Sequence, residues 1–108
     1  MERYKQKFKE FVIAQKLVVG KTITDITFEH PKVYVKLDNE YTIYAKPKIL
    51  IIFYKGKKIN VAKNYEKLIG QKIKMWFNDP AGFTIITKDF QFNLDFPTEG
   101  GLIKNAEI

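Results

Sequence analysis

The chain has 108 residues, a formal net charge of +7, 45% hydrophobic residues and no cysteine. This length and apolar content predict one domain with one shared core, and the lack of cysteine excludes disulfides, thiolate metal sites and cysteine nucleophiles. Because His30 is the only histidine, a histidine-rich metal site is excluded too, and we expect neither a metal nor a cofactor. The excess of lysine favours an anionic partner or simply high solubility.

Nothing in the sequence resembles a membrane-spanning segment or a signal peptide. The longest apolar run, residues 49–54, is far shorter than the ~20 residues that cross a bilayer. Charges recur every few positions at the N-terminus, where a signal peptide needs an apolar stretch. We expect a cytoplasmic protein, and its richness in Lys, Ile, Tyr and Phe is compatible with a thermophilic or AT-rich source.

Residues 2–17 predict an amphipathic helix that covers a sheet. Its apolar residues recur at helical spacing between lysines: Tyr4, Phe8, Phe11 and Val12. A basic interfacial helix that binds membranes is the alternative interpretation. Glu2 and Glu10 argue against it, so we expect no membrane partner.

After Gly20 the apolar residues alternate with polar ones, which predicts three half-buried antiparallel strands. Their inward residues would be Thr24, Ile26 and Phe28, then Val33, Val35 and Leu37, then Tyr41, Ile43 and Ala45. The connecting turns fall at His30-Pro31 and Asp38-Asn39-Glu40.

The middle of the chain predicts a hairpin followed by a short helix. Residues 48–54 lack alternation, which indicates a strand covered on both sides. A lysine-rich tip at residues 55–58 would lead into a partner strand at residues 59–63. Asn64 is the expected N-cap of a helix that runs through Leu68 and ends at Gly70.

The sequence around Gly70 resembles that around Gly20, which predicts an internal duplication. A second three-strand meander follows, with inward Ile73, Met75 and Phe77, then Phe83, Ile85 and Thr87, then Phe90, Phe92 and Leu94. An inserted residue in the Pro80 turn would account for the shift in register between the copies. We expect residues 20–46 and 70–95 to superpose, and six positions to be buried: Ile26, Val35, Ile43, Met75, Ile85 and Phe92.

The predicted fold is an α+β domain with a mostly antiparallel twisted sheet. It consists of two duplicated three-strand meanders joined by a central hairpin, with an N-terminal amphipathic helix and a short second helix. Residues 1–96 would form a single globular domain, with the repeat at about 16–46 and 67–95. Residues 97–108 would be a flexible C-terminal tail, because Pro97 and Gly100-Gly101 interrupt regular structure.

No catalytic constellation emerges from the sequence, so we expect a protein without enzymatic activity. The acidic residues of the first copy, Asp25, Glu29, Asp38 and Glu40, lack a histidine or basic third partner and are typical of a solvated strand face. His30 precedes Pro31 in a tight turn, where a surface role is expected.

Lysines are concentrated in the middle of the chain, which favours non-specific nucleic-acid binding. The candidate contacts are Lys46, Lys48, Lys55, Lys57, Lys58, Lys63, Lys67, Lys72 and Lys74. Tyr34 and Tyr44, opposite each other in the predicted register, are candidate stacking residues. Lysines beside them would face Asp25 and Glu29, so a salt-bridged solvated surface is the competing interpretation of that face.

The second hypothesis is a protein-interaction or assembly subunit, such as a homodimer. The predicted register places Trp76 and Ile86 outward, where the first copy carries Thr27 and a lysine. Either another part of the chain covers them, or they form an exposed interface patch; an open sheet edge could serve the same role.

Overall fold

The strands form two antiparallel sheets, and short helical segments precede each meander. A computed structural model describes residues 15–79 and 81–105. The strands are β1 (Ile23–Glu29), β2 (Lys32–Leu37), β3 (Tyr41–Ala45), β4 (Ile49–Tyr54), β5 (Lys57–Ile59), β6 (Met75–Asp79), β7 (Gly82–Ile86), β8 (Phe90–Asp95) and β9 (Gly100–Lys104). Helix Val61–Asn64 and the 3-10 helix Tyr65–Leu68 connect β5 to β6, and residues 15–18 are helical. The α+β class is confirmed, with two sheets where one was expected.

Sheet 1 has the strand order β1-β2-β3-β9 and contains the first meander in its predicted register. The predicted cross-strand pairs Asp25 with Lys36, Glu29 with Lys32, and Tyr34 with Tyr44 are all present. Alternation in β2 buries Val33, Val35 and Leu37 while the intervening residues face outward. The β2–β3 turn places Asp38 and Asn39 at positive φ, which short polar side chains tolerate.

The two sheets exchange strands. Strand β4 follows β3 along the chain but pairs with β8 in sheet 2, whose order is β5-β4-β8-β7-β6. Strand β9 follows β8 but pairs with β3 in sheet 1. Each three-strand meander therefore receives its fourth strand from the segment that follows the other meander.

Reciprocal backbone hydrogen bonds join the segments that enter the two meanders. The N–H of Gly20 donates to the carbonyl of Ile73 at 2.8 Å, and the N–H of Gly70 donates to the carbonyl of Ile23 at 2.7 Å. The N–H groups of Ile73 and Ile23 in turn donate to the carbonyls of Lys21 and Gln71, at 2.8 and 2.9 Å. The bridge between Thr22 and Lys72 lies between these bonds.

Both glycines of this junction have a left-handed backbone, with φ of 89° at Gly20 and 92° at Gly70. Glycine adopts this conformation without steric cost, whereas a side chain would be strained there. Each glycine ends its helical segment and turns the chain into the junction.

The registers of the first two strands of each meander match at positions fifty residues apart. Ile26 lies opposite Val35 and Trp76 lies opposite Ile85, and the last pairs of the two ladders, Glu29 with Lys32 and Asp79 with Gly82, correspond as well. The expected insertion in the Pro80 turn is therefore wrong. The one-residue difference lies in the next turn, because Val35 pairs with Ile43 while Ile85 pairs with Phe92.

The core lies between the sheets and contains five of the six predicted positions: Ile26, Val35, Ile43, Ile85 and Phe92. The prediction for Met75 is wrong, because its side chain is 42% exposed while Trp76 is 1% exposed. Ile73 and Trp76 are buried three positions apart, as Ile23 and Ile26 are, which breaks strict alternation. β1 has a register shift between Ile23 and Asp25, and this irregularity is what the alternation pattern could not predict.

The predicted flexible tail at 97–108 is wrong over Gly100–Lys104, which forms β9 against β3. Two glycines made this segment look irregular, but Gly100 has a packing role. A Cβ at Gly100 would lie 2.7 Å from the Phe83 ring and 2.9 Å from the Tyr44 carbonyl oxygen. The missing side chain lets β9 approach the core closely. Residues 106–108 lie outside the described part of the chain.

The central hairpin forms, with corrections to its bounds. Its partner strand ends at Ile59, and Asn60 caps the helix Val61–Asn64 by accepting a hydrogen bond from the N–H of Lys63 at 2.9 Å. Asn64 occupies the N-cap position of the 3-10 helix that runs through Leu68, as predicted, but its side chain makes no capping hydrogen bond. β4 is not covered on both sides, since Ile49 is exposed and only Ile52 is fully buried. Of the predicted N-terminal helix, residues 2–14 lie outside the described residues.

We predict that Trp76→Ala destabilises the protein by ~3–5 kcal/mol, because it removes a fully buried side chain and leaves a cavity against Phe83. Met75→Ala, one position away, should change the free energy of unfolding by less than ~1 kcal/mol. Urea denaturation followed by circular dichroism measures both. Equal effects of the two substitutions would contradict the observed register of β6.

Candidate nucleic-acid interface

The nine candidate lysines do not gather at one place. Lys46 and Lys48 precede β4. Lys55 lies in the turn that follows β4, and Lys57 begins the next strand. A six-residue strand separates the two groups by about 20 Å. The second group lies at the end of sheet 2 where the β4–β5 and β7–β8 turns meet.

The first group is partly neutralised. The Nζ atom of Lys46 lies 3.3 Å from Oε2 of Glu99, and the Nζ atom of Lys32 lies 3.9 Å from Oε1 of the same carboxylate. Glu99 reaches both lysines because β9 joins sheet 1 beside β3. Sequence reasoning missed this partner because it treated the segment as a tail.

Backbone contacts assemble the second group at one end of sheet 2, which we call the lysine-rich end. The N–H of Lys55 donates to the carbonyl of Asp89 at 2.8 Å, so the β4–β5 and β7–β8 turns touch. The N–H of Lys74 donates to the carbonyl of Ile86 at 2.8 Å, which brings the start of β6 to the same end. The lysine-rich end therefore comprises Lys55, Lys57, Lys74 and Lys88, with Lys58 on the adjoining strand and Lys67 nearby. Lys88 was not predicted, because its sequence position indicated only a turn.

The turn that presents Lys55 is tight. Lys55 and Gly56 have φ of 49° and 82°, and they connect Tyr54 directly to Lys57 across the hairpin. Two successive residues at positive φ are typical of two-residue hairpin loops that match the strand twist. This conformation fixes the position of the Lys55 backbone at the tip of the hairpin.

An exposed aromatic ring lies beside these lysines. The Tyr54 side chain is 39% exposed, and its ring centroid lies 5.0 Å from that of the largely buried Phe90. The Nζ atom of Lys55 lies 5.3 Å from the centroid of the Tyr54 ring, within cation–π distance. Phe90 supports the Tyr54 ring from the protein side.

Two grooves flank the contact between Lys55 and Asp89. One, of about 540 Å³, is lined by Tyr54, Ile59, Asn64, Lys67, Gln71, Asp89 and Phe90. The other, of about 460 Å³, includes Phe53, Lys55, Ile86, Lys88 and Gln91. The lysine-rich end thus presents cationic side chains above aromatic surface on both sides.

The lysines of this end form no salt bridges with the other described residues. Within residues 15–79 and 81–105, the salt bridges involve Lys21, Lys32 and Lys46, and none involves Lys55, Lys57, Lys58, Lys67, Lys74 or Lys88. At the corresponding end of sheet 1, Lys21 donates to Glu40 at 2.9 Å, and this hydrogen bond raises the pKa of Lys21. The two ends therefore differ in available positive charge.

The remaining candidates lie elsewhere. Lys63 is exposed on the helix Val61–Asn64, and Lys72 lies at the junction opposite Thr22. Tyr34 and Tyr44 pair on the outward face of sheet 1, away from the lysine-rich end, and both are half-buried. Because Tyr34 and Tyr44 lie away from the lysine-rich end, they are poorly placed to stack with the bases of a nucleic acid bound there.

The predicted outward position of Trp76 is wrong, and of the two alternatives, covered or exposed, the structure has the covered one. The Trp76 ring packs into the core with its centroid 5.8 Å from that of Phe83, at 77°. Ile86 does lie on the outward face of sheet 2 and is half-buried there. Its neighbours across the ladder are Met75 and Gln91, with Phe53 beyond, and sequence reasoning missed Met75 and Phe53 as outward residues.

No three side chains of His, Cys, Asp or Glu in the described residues lie close enough together to hold a metal ion. No helix among them is long and apolar enough to cross a membrane.

Comparison of the chain with protein-family models, curated proteins and solved structures gives no match.

Proposed function

We propose that the protein is a small, basic, non-catalytic module that binds single-stranded nucleic acid without base specificity through the lysine-rich end of sheet 2. The observation that carries this proposal is the exposed Tyr54 ring, supported by Phe90 and bordered by lysines without ion pairs. Lysines attract the phosphate backbone, and a partly exposed aromatic ring can stack with any unpaired base once the flexible Lys55 side chain moves aside.

Tyr54 favours a single strand over a duplex, because a base must leave its stack before it can lie on a protein ring. The grooves on each side of Lys55 and Asp89 give the backbone two paths along the lysines. Lysine is a flexible point charge without the fork that reads guanine edges, so base-specific recognition is not expected. Affinity should be micromolar or weaker at physiological salt and should fall steeply as salt rises.

The lysines can be tested by replacing Lys55, Lys57 and Lys58 with Glu together. Binding of a fluorescent oligothymidine, followed by anisotropy, should become undetectable at physiological salt because phosphate contacts are replaced by repulsion. The hairpin tip contributes little to the core, so the thermal melt should be unchanged.

The matched control replaces Lys36, Lys48 and Lys104, three exposed lysines away from this end, with Glu. Both variants lower the net charge by the same amount, so the control should retain most of the binding. Equal losses in the two variants would mean that net charge, rather than this site, attracts the nucleic acid.

The stacking role of Tyr54 has a separate test. Tyr54→Leu keeps apolar contact with Phe90 but removes the ring, and should weaken single-strand binding by ~1–3 kcal/mol while changing duplex binding little. Tyr34→Leu on sheet 1 is the control and should leave both affinities unchanged. A Tyr54→Leu protein with wild-type affinity for the single strand would remove stacking from the proposal.

The outward face of sheet 2 favours a second candidate function, assembly with another copy or a protein partner. One cross-strand row contains Met75, Ile86, Gln91 and Phe53, and Met75 is 42% exposed. Gln91 donates to Asn93 at 3.0 Å beside this row, so the polar side chains there are hydrogen-bonded to each other. An apolar centre with polar neighbours has the composition of a binding patch.

If this face forms a homodimer, Met75→Glu should lower the solution mass measured by sedimentation at micromolar concentration, because it places a charge at the centre of the contact. Lys104→Gln changes the net charge equally and should leave the mass unchanged. A wild-type protein that sediments as a monomer throughout would exclude the homodimer.

We also infer that the chain is a diverged internal duplication. Support comes from the corresponding strand orders β1-β2-β3-β9 and β6-β7-β8-β4, and from the reciprocal bonds of Gly20 and Gly70. In this interpretation the turn Asp38-Asn39-Glu40 corresponds to Lys88-Asp89. Divergence at that turn would have left acidic residues at this end of sheet 1 and placed Lys88 at the corresponding end of sheet 2.

A further inference from the structure

A second candidate site lies where an apolar groove meets a cationic one. The apolar groove, of about 340 Å³, is lined by Val61, Ala62 and Tyr65 together with Phe28 and Leu50. The cationic groove, of about 310 Å³, shares Phe28 and Leu50 and continues past His30, Lys32 and Lys48. Phe28 and Leu50 border both grooves, so the two grooves lie next to each other.

The apolar part is built by the helical connection between β5 and β6. Asn60 caps the helix Val61–Asn64, and the 3-10 helix that follows places Tyr65 against the end of β1. The Tyr65 ring meets Phe28 edge-on, with centroids 4.8 Å apart and planes at 85°. Phe28 still exposes 40% of its surface, so the aromatic pair forms a wall that a ligand can reach.

The cationic groove is lined by two lysines, Lys32 and Lys48, and by no carboxylate of the described residues. Lys48 is exposed and takes part in none of the salt bridges of the described residues. Lys32 is held only loosely, with its Nζ atom 3.9 Å from Glu99, whose other oxygen lies closer to Lys46. The other acidic neighbours are Glu29, opposite Lys32 in the ladder, and Asp95, whose carbonyl accepts a hydrogen bond from the N–H of Lys48 at 3.0 Å.

We propose that these two grooves together bind a small amphiphilic carboxylate, such as a free medium-chain fatty acid. Its tail would lie against Phe28, Leu50 and Tyr65, and its carboxylate would lie beside Lys48. Volumes of a few hundred Å³ with mainly apolar walls and a few polar groups are typical of small-molecule sites. The grooves lie at the opposite end of β4 from Lys55, so this proposal is independent of nucleic-acid binding.

The test is isothermal titration of the full chain with decanoate and octanoate below their micelle concentrations and with decanol below its solubility limit. Decanoate should bind roughly tenfold more tightly than octanoate, because two more methylenes are buried. Decanol, which has the same tail without the charge, should bind about fivefold more weakly than decanoate. Equal affinities of decanoate and decanol, or no binding of decanoate at millimolar concentration, would overturn the proposal.

Two variants locate the site. Ala62→Trp, at an exposed helix position, should fill the apolar groove and abolish binding of both decanoate and decanol. Lys48→Gln should weaken decanoate about fivefold and leave decanol unchanged, and it does not disturb the core. Lys57→Gln is the control with the same loss of charge and should have no effect. Unchanged decanoate affinity in Lys48→Gln, or a loss equal to that in Lys57→Gln, would contradict the assignment.

Discussion

Four backbone hydrogen bonds between residues 20–23 and 70–73 fix how the two sheets of this protein face each other. They lie where the chain enters each meander, beside the buried Ile23 and Ile73. Buried backbone groups are costly to leave unpaired, so this junction tolerates one arrangement and disfavours sliding. The left-handed glycines Gly20 and Gly70 make the tight approach possible. The position of the core between the sheets, including Trp76, follows from it.

Exchange of β4 and β9 makes each sheet depend on the other meander. The same exchange carries the β4–β5 turn to the end of β8, where Lys55 meets Asp89. In sheet 1, β9 instead brings Glu99 to Lys32 and Lys46. In sheet 1 the exchanged strand therefore brings a carboxylate that pairs with two lysines, whereas in sheet 2 it brings Lys55 to an end that already contains other lysines. This difference, rather than overall charge, distinguishes the lysine-rich end as a candidate binding surface.

Periodicity predicted the meanders, the register of sheet 1 and most of the core, because alternating burial is a local property of strands. Periodicity could not predict non-local strand pairing, because no pattern within residues 48–54 or 100–104 indicates which strand each segment joins. Alternation also failed at the entry to β6, where Ile73 and Trp76 are both buried although they lie three positions apart. The sequence interpretation therefore placed Trp76 outward and Met75 inward. The candidate site was predicted in residue type, since Lys55, Lys57 and Lys67 were named. Tyr54 and Lys88 were missed because only the folded chain brings them together.

The most direct test of the nucleic-acid proposal is a titration of the ¹⁵N-labelled protein with oligothymidine, followed by amide chemical shifts at low salt. The proposal predicts saturable shifts at residues 54–57, 67 and 88–90, with sheet 1 unaffected. Shifts centred on Tyr34 and Tyr44, or spread evenly over exposed lysines, would contradict it, as would the absence of any shift at millimolar oligonucleotide.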